Sequence, residues 1–153
     1  MKDKHKRAYM QICEINASLS ECLRENRHFG AVIVDPEENV MVASGYNGFI
    51  RGGSMHCGGD GVCTRIENNI PTGTHMEIGC IHAEENAITN AARQGVSTKG
   101  KWMFIDTEPC VMCARRMVQS GITRVVIKVG KYENNGVQIL MDNNVGVEIL
   151  EDK

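Results

Sequence analysis

The stretch that decides the fold covers residues 83–128 and reads AEENAITNAARQGVSTKGKWMFIDTEPCVMCARRMVQSGITRVVIK. Its apolar residues recur at helical spacing over 83–94 and 111–120, and a glycine follows each of these segments. Continuous apolar runs at 102–105 and 125–128 predict buried strands. Strands that alternate with helices in this way are typical of a sheet covered by helices.

The flanking segments extend this pattern. Residues 5–23 are predicted to form an amphipathic helix, and 31–34 and 40–43 a hairpin around a D-P-E-E-N turn. A last helix is predicted over 136–141 and a last strand over 147–150. The predicted fold class is therefore α/β, a three-layer α/β/α sandwich with a five-stranded mixed sheet.

Two helix faces are predicted to be buried. The face of the first helix consists of Tyr9, Ile12, Cys13, Asn16, Leu19 and Leu23. The face of the helix over 83–94 consists of Ala87, Ile88, Ala91 and Ala92. In such surroundings Cys13 is predicted to be a small buried hydrophobe.

Length and charge limit the classes of function. A chain of 153 residues is long enough for a real core, so residues 1–153 are predicted to form a single domain. A net charge of −2 provides no basic field, and we predict no nucleic-acid partner. No apolar run is long enough to cross a bilayer and no secretory signal pattern is present, so we predict a cytoplasmic protein without a membrane partner.

Seven cysteines are many for this length. In a cytoplasmic chain they favour metal ligation over a disulfide framework. Two of them, Cys57 and Cys63, fall in residues 45–79, a segment rich in Gly, Asn, Cys and His that shows no steady period. Long irregular segments are usually functional, and a metal ion would tie this one down.

Two short motifs carry the chemistry, H-A-E at 82–84 and P-C-V-M-C at 109–113. Each falls at the start of a predicted helix, and the thiols of Cys110 and Cys113 share one side of a first turn. If the two helices lie side by side, His82 and these thiols converge. Three protein ligands leave zinc a fourth position for water, as in catalytic zinc sites.

The charges of this site are balanced. Two thiolates neutralise Zn²⁺, and helix N-termini favour the thiolate form of Cys110 and Cys113. Glu84 lies two residues after His82 and is predicted to point into the same pocket without binding the metal. A carboxylate there can take a proton from water and pass it to a substrate.

The motifs match H-x-E followed by P-C-x-x-C, the established signature of zinc deaminases. The sequence resembles the cytidine and deoxycytidylate deaminase superfamily over residues 10–150. The segments G-A-V-I-V at 30–34, G-Y-N-G-F at 45–49 and H-A-E-E-N-A-I at 82–88 resemble its deoxycytidylate deaminase branch. The resemblance implies a cytidine deaminase-like fold and hydrolytic deamination of dCMP to dUMP and ammonia, which supplies dUMP for thymidylate synthesis.

Two positions depart from the pattern of this branch. Ile50 replaces its usual proline, and Glu85 replaces its usual glutamine. Both departures concern the shape of the pocket and leave the chemistry of the motifs unchanged.

The resemblance also implies a substrate site. Backbone groups near the metal would hold the base, an amide would bind the deoxyribose hydroxyl, and cations would meet the phosphate. The set is Asn47, Ala83, Asn86, Arg93, Thr107, Pro109 and Tyr132. Arg51 and Lys131 are further candidates for the phosphate. The alternative for Asn47 is a turn-forming asparagine beside glycines.

Many members of this branch are hexamers that dCTP activates and dTTP inhibits. By resemblance we expect a homo-oligomer, a hexamer, with such regulation. Backbone amides of a glycine-rich turn can hold triphosphate oxygens, and Mg²⁺ can bridge them. The candidate residues are Arg27, Gly45, Gly48 and Arg51.

A second, structural zinc site is the last feature that the resemblance implies. Its predicted ligands are Cys22, Cys57, His75 and Cys80, and Cys63 is an alternative to His75. Four such ligands close a tetrahedral site. The alternative is that these residues are free thiols in a loop ordered by nucleotide or by a neighbouring subunit.

Other functions remain open from the sequence alone. A tRNA adenosine deaminase would need a basic surface, and a nucleoside cytidine deaminase would need no phosphate pocket. A non-catalytic zinc module would have four protein ligands on every metal and no role for Glu84.

Overall fold

The computed structural model of this chain describes residues 1–52, 61–71, 79–128 and 136–151. In these ranges helices and strands follow one another in the order predicted, with one additional short helix, α2. The elements are α1 (Asp3–Ala17), β1 (Gly30–Asp35), β2 (Val40–Tyr46), α2 (Thr64–Glu67), α3 (Ala83–Arg93), β3 (Trp102–Ile105), α4 (Val111–Gln119), β4 (Arg124–Lys128), α5 (Val137–Asp142) and β5 (Gly146–Leu150).

The five strands form one mixed sheet in the order β2-β1-β3-β4-β5. β1 runs antiparallel to both of its neighbours, whereas β3, β4 and β5 are parallel. The start of β1 therefore lies beside the carboxyl ends of the other four strands. We call this end of the sheet the site edge, because α3 and α4 both begin there.

Each face of the sheet is covered by helices, which confirms the three-layer sandwich. On one face α1 packs on Val32, Phe104 and Val126 through Met10 and Cys13. On the other face α3 and α4 bury Ala87 and Met117 against Ile33, Met103 and Val125. Cys13 is fully buried, as predicted, and its thiol donates to the Phe104 carbonyl at 3.2 Å.

The predicted first helix is too long. α1 ends at Ala17, and Leu19 and Leu23, predicted to lie on its buried face, are 55% and 49% exposed. The chain leaves the helix because the buried Ser20 hydroxyl donates to the Asn47 carbonyl at 2.7 Å. This contact spans 27 residues, and no local pattern announces it.

The buried face of α3 was also predicted too broadly. Ala87 and Ala91 are fully buried and Ile88 is partly buried, but Ala92 is exposed. Residues 45–79 contain two described elements that their irregular composition did not predict, the end of β2 and α2.

No helix in the described ranges is both long and apolar enough to cross a membrane. The cytoplasmic location stays a prediction of the sequence.

Candidate active site

Two metal-ligand candidates occupy equivalent places at the site edge. His82 is the N-cap residue of α3 and Cys110 is the N-cap residue of α4, both with extended backbone. The Cys110 sulfur accepts a hydrogen bond from the Cys113 amide at 3.4 Å and so caps its own helix. The two helix starts thus bring the predicted ligands to one place.

The three side chains meet as predicted. His82 Nδ1 lies 3.5 Å from the sulfur of Cys110 and 3.5 Å from that of Cys113. All three ligand atoms lie within 4.8 Å of one another. Zinc at its usual bond lengths in tetrahedral geometry would separate such nitrogen and sulfur atoms by about 3.6 Å. The residues therefore fit zinc.

The site is sealed on one side only. Cys113 is fully buried, whereas His82 and Cys110 are partly exposed. The hydrogen bond with Cys113 lowers the pKa of Cys110 to about 3, and the same bond raises the pKa of Cys113. The hydrogen bond with Cys110 raises the pKa of His82. The cluster thus provides a thiolate before any metal arrives.

Glu84 lies in the first turn of α3 and is 6% exposed. The charge of His82 and the side chain of Cys113 both act on the pKa of its carboxyl, which places Glu84 beside the ligand cluster. Burial raises the pKa of Glu84, and the charge of His82 opposes this effect. A buried carboxyl beside the ligands with a raised pKa is suited to accept a proton and return it.

Asp106 is a site residue that sequence reasoning missed. It follows β3 at the site edge, and each of its carboxylate oxygens accepts from the Gly30 amide at 3.2 Å. Burial raises its pKa to about 7, and the charge of Glu84 adds to the effect. An acidic residue directly after a buried strand and four residues before Cys110 was the available signal.

We expect Asp106→Asn to stabilise the protein increasingly as pH rises. Because the folded-state pKa lies above the unfolded one, the folded chain holds an extra proton between about pH 4 and pH 7, and its free energy of unfolding falls across that window. Asparagine keeps an acceptor for Gly30 and has no such proton. Urea unfolding should show the variant gaining about 2 kcal/mol on the wild type between pH 5.5 and pH 8.

Asp35→Asn is the control for this prediction. The hydrogen bond from Lys101 lowers the pKa of Asp35, so this group stays ionised over the same pH range. Its stability difference from the wild type should be flat with pH. A flat difference for Asp106→Asn as well would contradict the assigned pKa.

Two predicted substrate amides are occupied by backbone contacts. Asn47 accepts from the Phe29 amide at 2.8 Å and donates to the Arg27 carbonyl at 2.7 Å. Asn86 donates to the Tyr46 carbonyl at 2.8 Å. Both amides hold the segments that border the site edge, and their contacts with substrate stay a prediction.

The other predicted substrate residues divide into two groups. Ala83 opens α3, and the buried Thr107 and Pro109 precede Cys110, so all three adjoin the metal ligands. Arg93 is exposed at the far end of α3, about 15 Å from Ala83 along the helix axis. Tyr132 and Lys131 lie outside the described residues.

The glycines predicted to hold a regulatory triphosphate have other contacts. Gly45 packs on α3, where an added Cβ would lie 2.4 Å from the Ala87 amide nitrogen. The Gly48 amide donates to the Ile81 carbonyl at 3.1 Å. Arg51 donates to the Asn90 side chain at 3.0 Å. A cradle formed by the Gly48 amide is therefore not available in this conformation.

Two predicted ligands of the second zinc site lie together. The hydrogen bond between Cys22 and Cys80 lowers the pKa of Cys22 to about 6. Cys57 and His75 lie outside the described residues. Cys63, the alternative ligand, is buried at the start of α2.

An α/β/α sandwich with an open His-Cys-Cys site beside a buried carboxylate defines the class, that of the zinc-binding deaminases. The family model for the cytidine and deoxycytidylate deaminase zinc-binding region matches residues 3–129. The chain belongs to the cytidine and deoxycytidylate deaminase family.

Two curated relatives are yeast enzymes. The deoxycytidylate deaminase of Saccharomyces cerevisiae is 36% identical over 144 residues, which cover 94% of this chain and 43% of that protein. The deoxycytidylate deaminase of Schizosaccharomyces pombe is 34% identical over 119 residues, covering 77% and 35% respectively. This chain thus spans less than half the length of these two relatives.

A solved structure matches over nearly the full length of both chains. The dCMP deaminase of cyanophage S-TIM5, in complex with dCMP and dUMP, has a TM-score of 0.80 and 26% identity. The match covers 98% of this chain and 99% of the phage chain. It confirms the five-stranded α/β fold.

Proposed function

We propose that this chain deaminates dCMP hydrolytically to dUMP and ammonia. The observation that carries the proposal is the open cluster of His82, Cys110 and Cys113 with Glu84 buried against it. The choice of dCMP is supported by the named activity of the yeast relatives and by the nucleotides bound to the phage enzyme.

The residues of this chain would divide the work as follows. A zinc ion held by His82, Cys110 and Cys113 would supply the Lewis acidity that lowers the pKa of a water molecule to about 7. Glu84 would take one proton from that water and deliver it to N3 of cytosine, and would then carry the second proton, from the hydroxyl group added at C4, to the departing amine. Burial around Glu84 excludes competing solvent from these transfers.

The assay that tests this proposal measures ammonia from the zinc-loaded protein. The substrates compared are dCMP, CMP, deoxycytidine, cytidine and dCTP, with and without dCTP as activator. We expect dCMP to have the highest kcat/KM. Preference for the nucleosides would favour a nucleoside deaminase, and turnover of none of these compounds would reject the proposal.

We also propose the finer features that the family resemblance implies. These are regulation by dCTP and dTTP with Mg²⁺, for which Arg27 and Arg51 remain the candidate cations, and assembly into a homo-oligomer, a hexamer. Exposed Val40 and Met41 on edge strand β2 are compatible with a subunit contact. Calorimetric titration with dTTP and light scattering test the two features, and a monomer without saturable dTTP binding would remove both.

A second zinc on Cys22, Cys57, His75 and Cys80 is likewise proposed. The contact of Cys22 with Cys80 supports it, because two neighbouring thiols, of which Cys22 has a lowered pKa, supply half the ligands of a tetrahedral site. Elemental analysis should give two zinc ions per chain, and one for Cys22→Ser. One zinc in the wild type would reject this second site.

We further propose that residues 1–153 act as one deaminase domain. Strands from both halves of the chain share a single sheet, which supports a single domain.

A further inference from the structure

An ion pair joins the two helices that carry the metal ligands. Glu85 Oε1 in α3 lies 3.3 Å from an Nη atom of Arg116 in α4. The side chain of Glu85 is 24% exposed and that of Arg116 is 39% exposed, so the ion pair is partly accessible to solvent.

The position of this pair is set by helix geometry. Glu85 lies three residues after His82, and Arg116 lies three residues after Cys113. Residues three apart lie on neighbouring points of a helix surface. The pair therefore lies one turn above the ligands, on the sides where α3 and α4 face each other.

Several of the side chains that α3 and α4 bury close to the ligands are small. Ala83 and Ala87 of α3 and Ala114 of α4 belong to one buried cluster. Alanines have no long side chains that interlock, so they restrict sliding and tilting of one helix on the other only weakly. A polar link near the ligands supplies a restraint that the alanines lack.

The ion pair between Glu85 and Arg116 is not expected to contribute much to the free energy of unfolding. Half-exposed ion pairs contribute little to stability. A zinc site, in contrast, is sensitive to small changes in the spacing of its ligands. Partners that hydrogen-bond the ligands directly typically change metal affinity about 10- to 100-fold, and we expect a smaller effect from a link one turn away.

We propose that Glu85 and Arg116 are positioning residues that hold α3 and α4 at the separation at which His82 meets Cys110 and Cys113. Through this separation they set how firmly zinc is retained. The inference rests on the zinc site of the proposed function.

A purely electrostatic effect of the pair on zinc affinity and a positioning effect predict different results. Glu85→Gln removes a negative charge near a cation site and Arg116→Gln removes a positive one. If only charge mattered, the two variants would change zinc affinity in opposite directions. If the link positions the helices, both variants weaken zinc binding.

The test is a competition for zinc between each variant and a chromophoric chelator, with urea unfolding of the zinc-free proteins. We expect Glu85→Gln and Arg116→Gln each to weaken zinc binding about fivefold, and the double variant to do no worse. The reversed pair, Glu85→Arg with Arg116→Glu, should recover at least half of the loss. Unfolding of the zinc-free proteins should change little.

Glu14→Gln is the matched control. Glu14 forms a 2.7 Å ion pair with Lys128 on the other face of the sheet, at similar exposure. This variant should bind zinc as the wild type does. Opposite shifts for the two single variants, no shift at all, or an equal loss in Glu14→Gln would overturn the inference. A wild type that binds no zinc would instead reject the proposed function.

Discussion

Glu84→Gln is expected to lower kcat for dCMP by about a thousandfold or more while zinc content and fold stay unchanged. Gln has nearly the same shape as Glu but cannot carry a proton between water, ring nitrogen and leaving amine. The Glu84 carboxyl is buried against the ligand cluster, so bulk water cannot take over its proton transfers. KM should change far less than kcat, because the lost step follows binding.

Single-turnover deamination and elemental zinc analysis on the same sample would check this result. Glu38→Gln, in an exposed turn far from the ligands, should keep wild-type kcat. A Glu84→Gln protein that retained more than a tenth of the activity would show that another group moves the proton.

Gly45→Ala is expected to cost about 3 kcal/mol of stability or more and to reduce activity with it. A Cβ at this position would lie 2.4 Å from the Ala87 nitrogen and 2.6 Å from the Ala83 carbonyl oxygen. These are backbone atoms of α3, so no side chain can rotate away to make room. The helix must move off β2, and Glu84 would move with it.

Gly48→Ala is the matched comparison in the same segment. A Cβ there would meet only the Tyr46 ring, at 3.8 Å. Denaturant unfolding should therefore show a small change for Gly48→Ala and a large one for Gly45→Ala. Equal losses would mean that the close approach of β2 to α3 does not restrict Gly45.

Local sequence patterns predicted what local interactions determine. Each metal-ligand motif opens a helix, so the convergence of His82, Cys110 and Cys113 followed from the order of elements. The strand over 102–105 was predicted at its observed bounds, because a short, continuous apolar run is the local pattern of a strand buried on both faces.

Features that depend on distant partners could not be predicted in this way. The end of α1 depends on the bond from Ser20 to Asn47, and Asp106 acquires its role from Gly30, 76 residues away. Asn47 was predicted to bind a sugar because its neighbours matched a family motif. Its contacts with Arg27 and Phe29 became visible only in three dimensions.

The antiparallel β1 has a practical consequence for handling the protein. Because β1 runs antiparallel to β3, the turn that joins β1 to β2 lies at the end of the sheet opposite to the site edge and its ligands. Glu37 and Glu38 in that turn are exposed. A tether or fluorescent label attached there would leave the mouth of the reaction centre facing away from a solid support and open to incoming nucleotide.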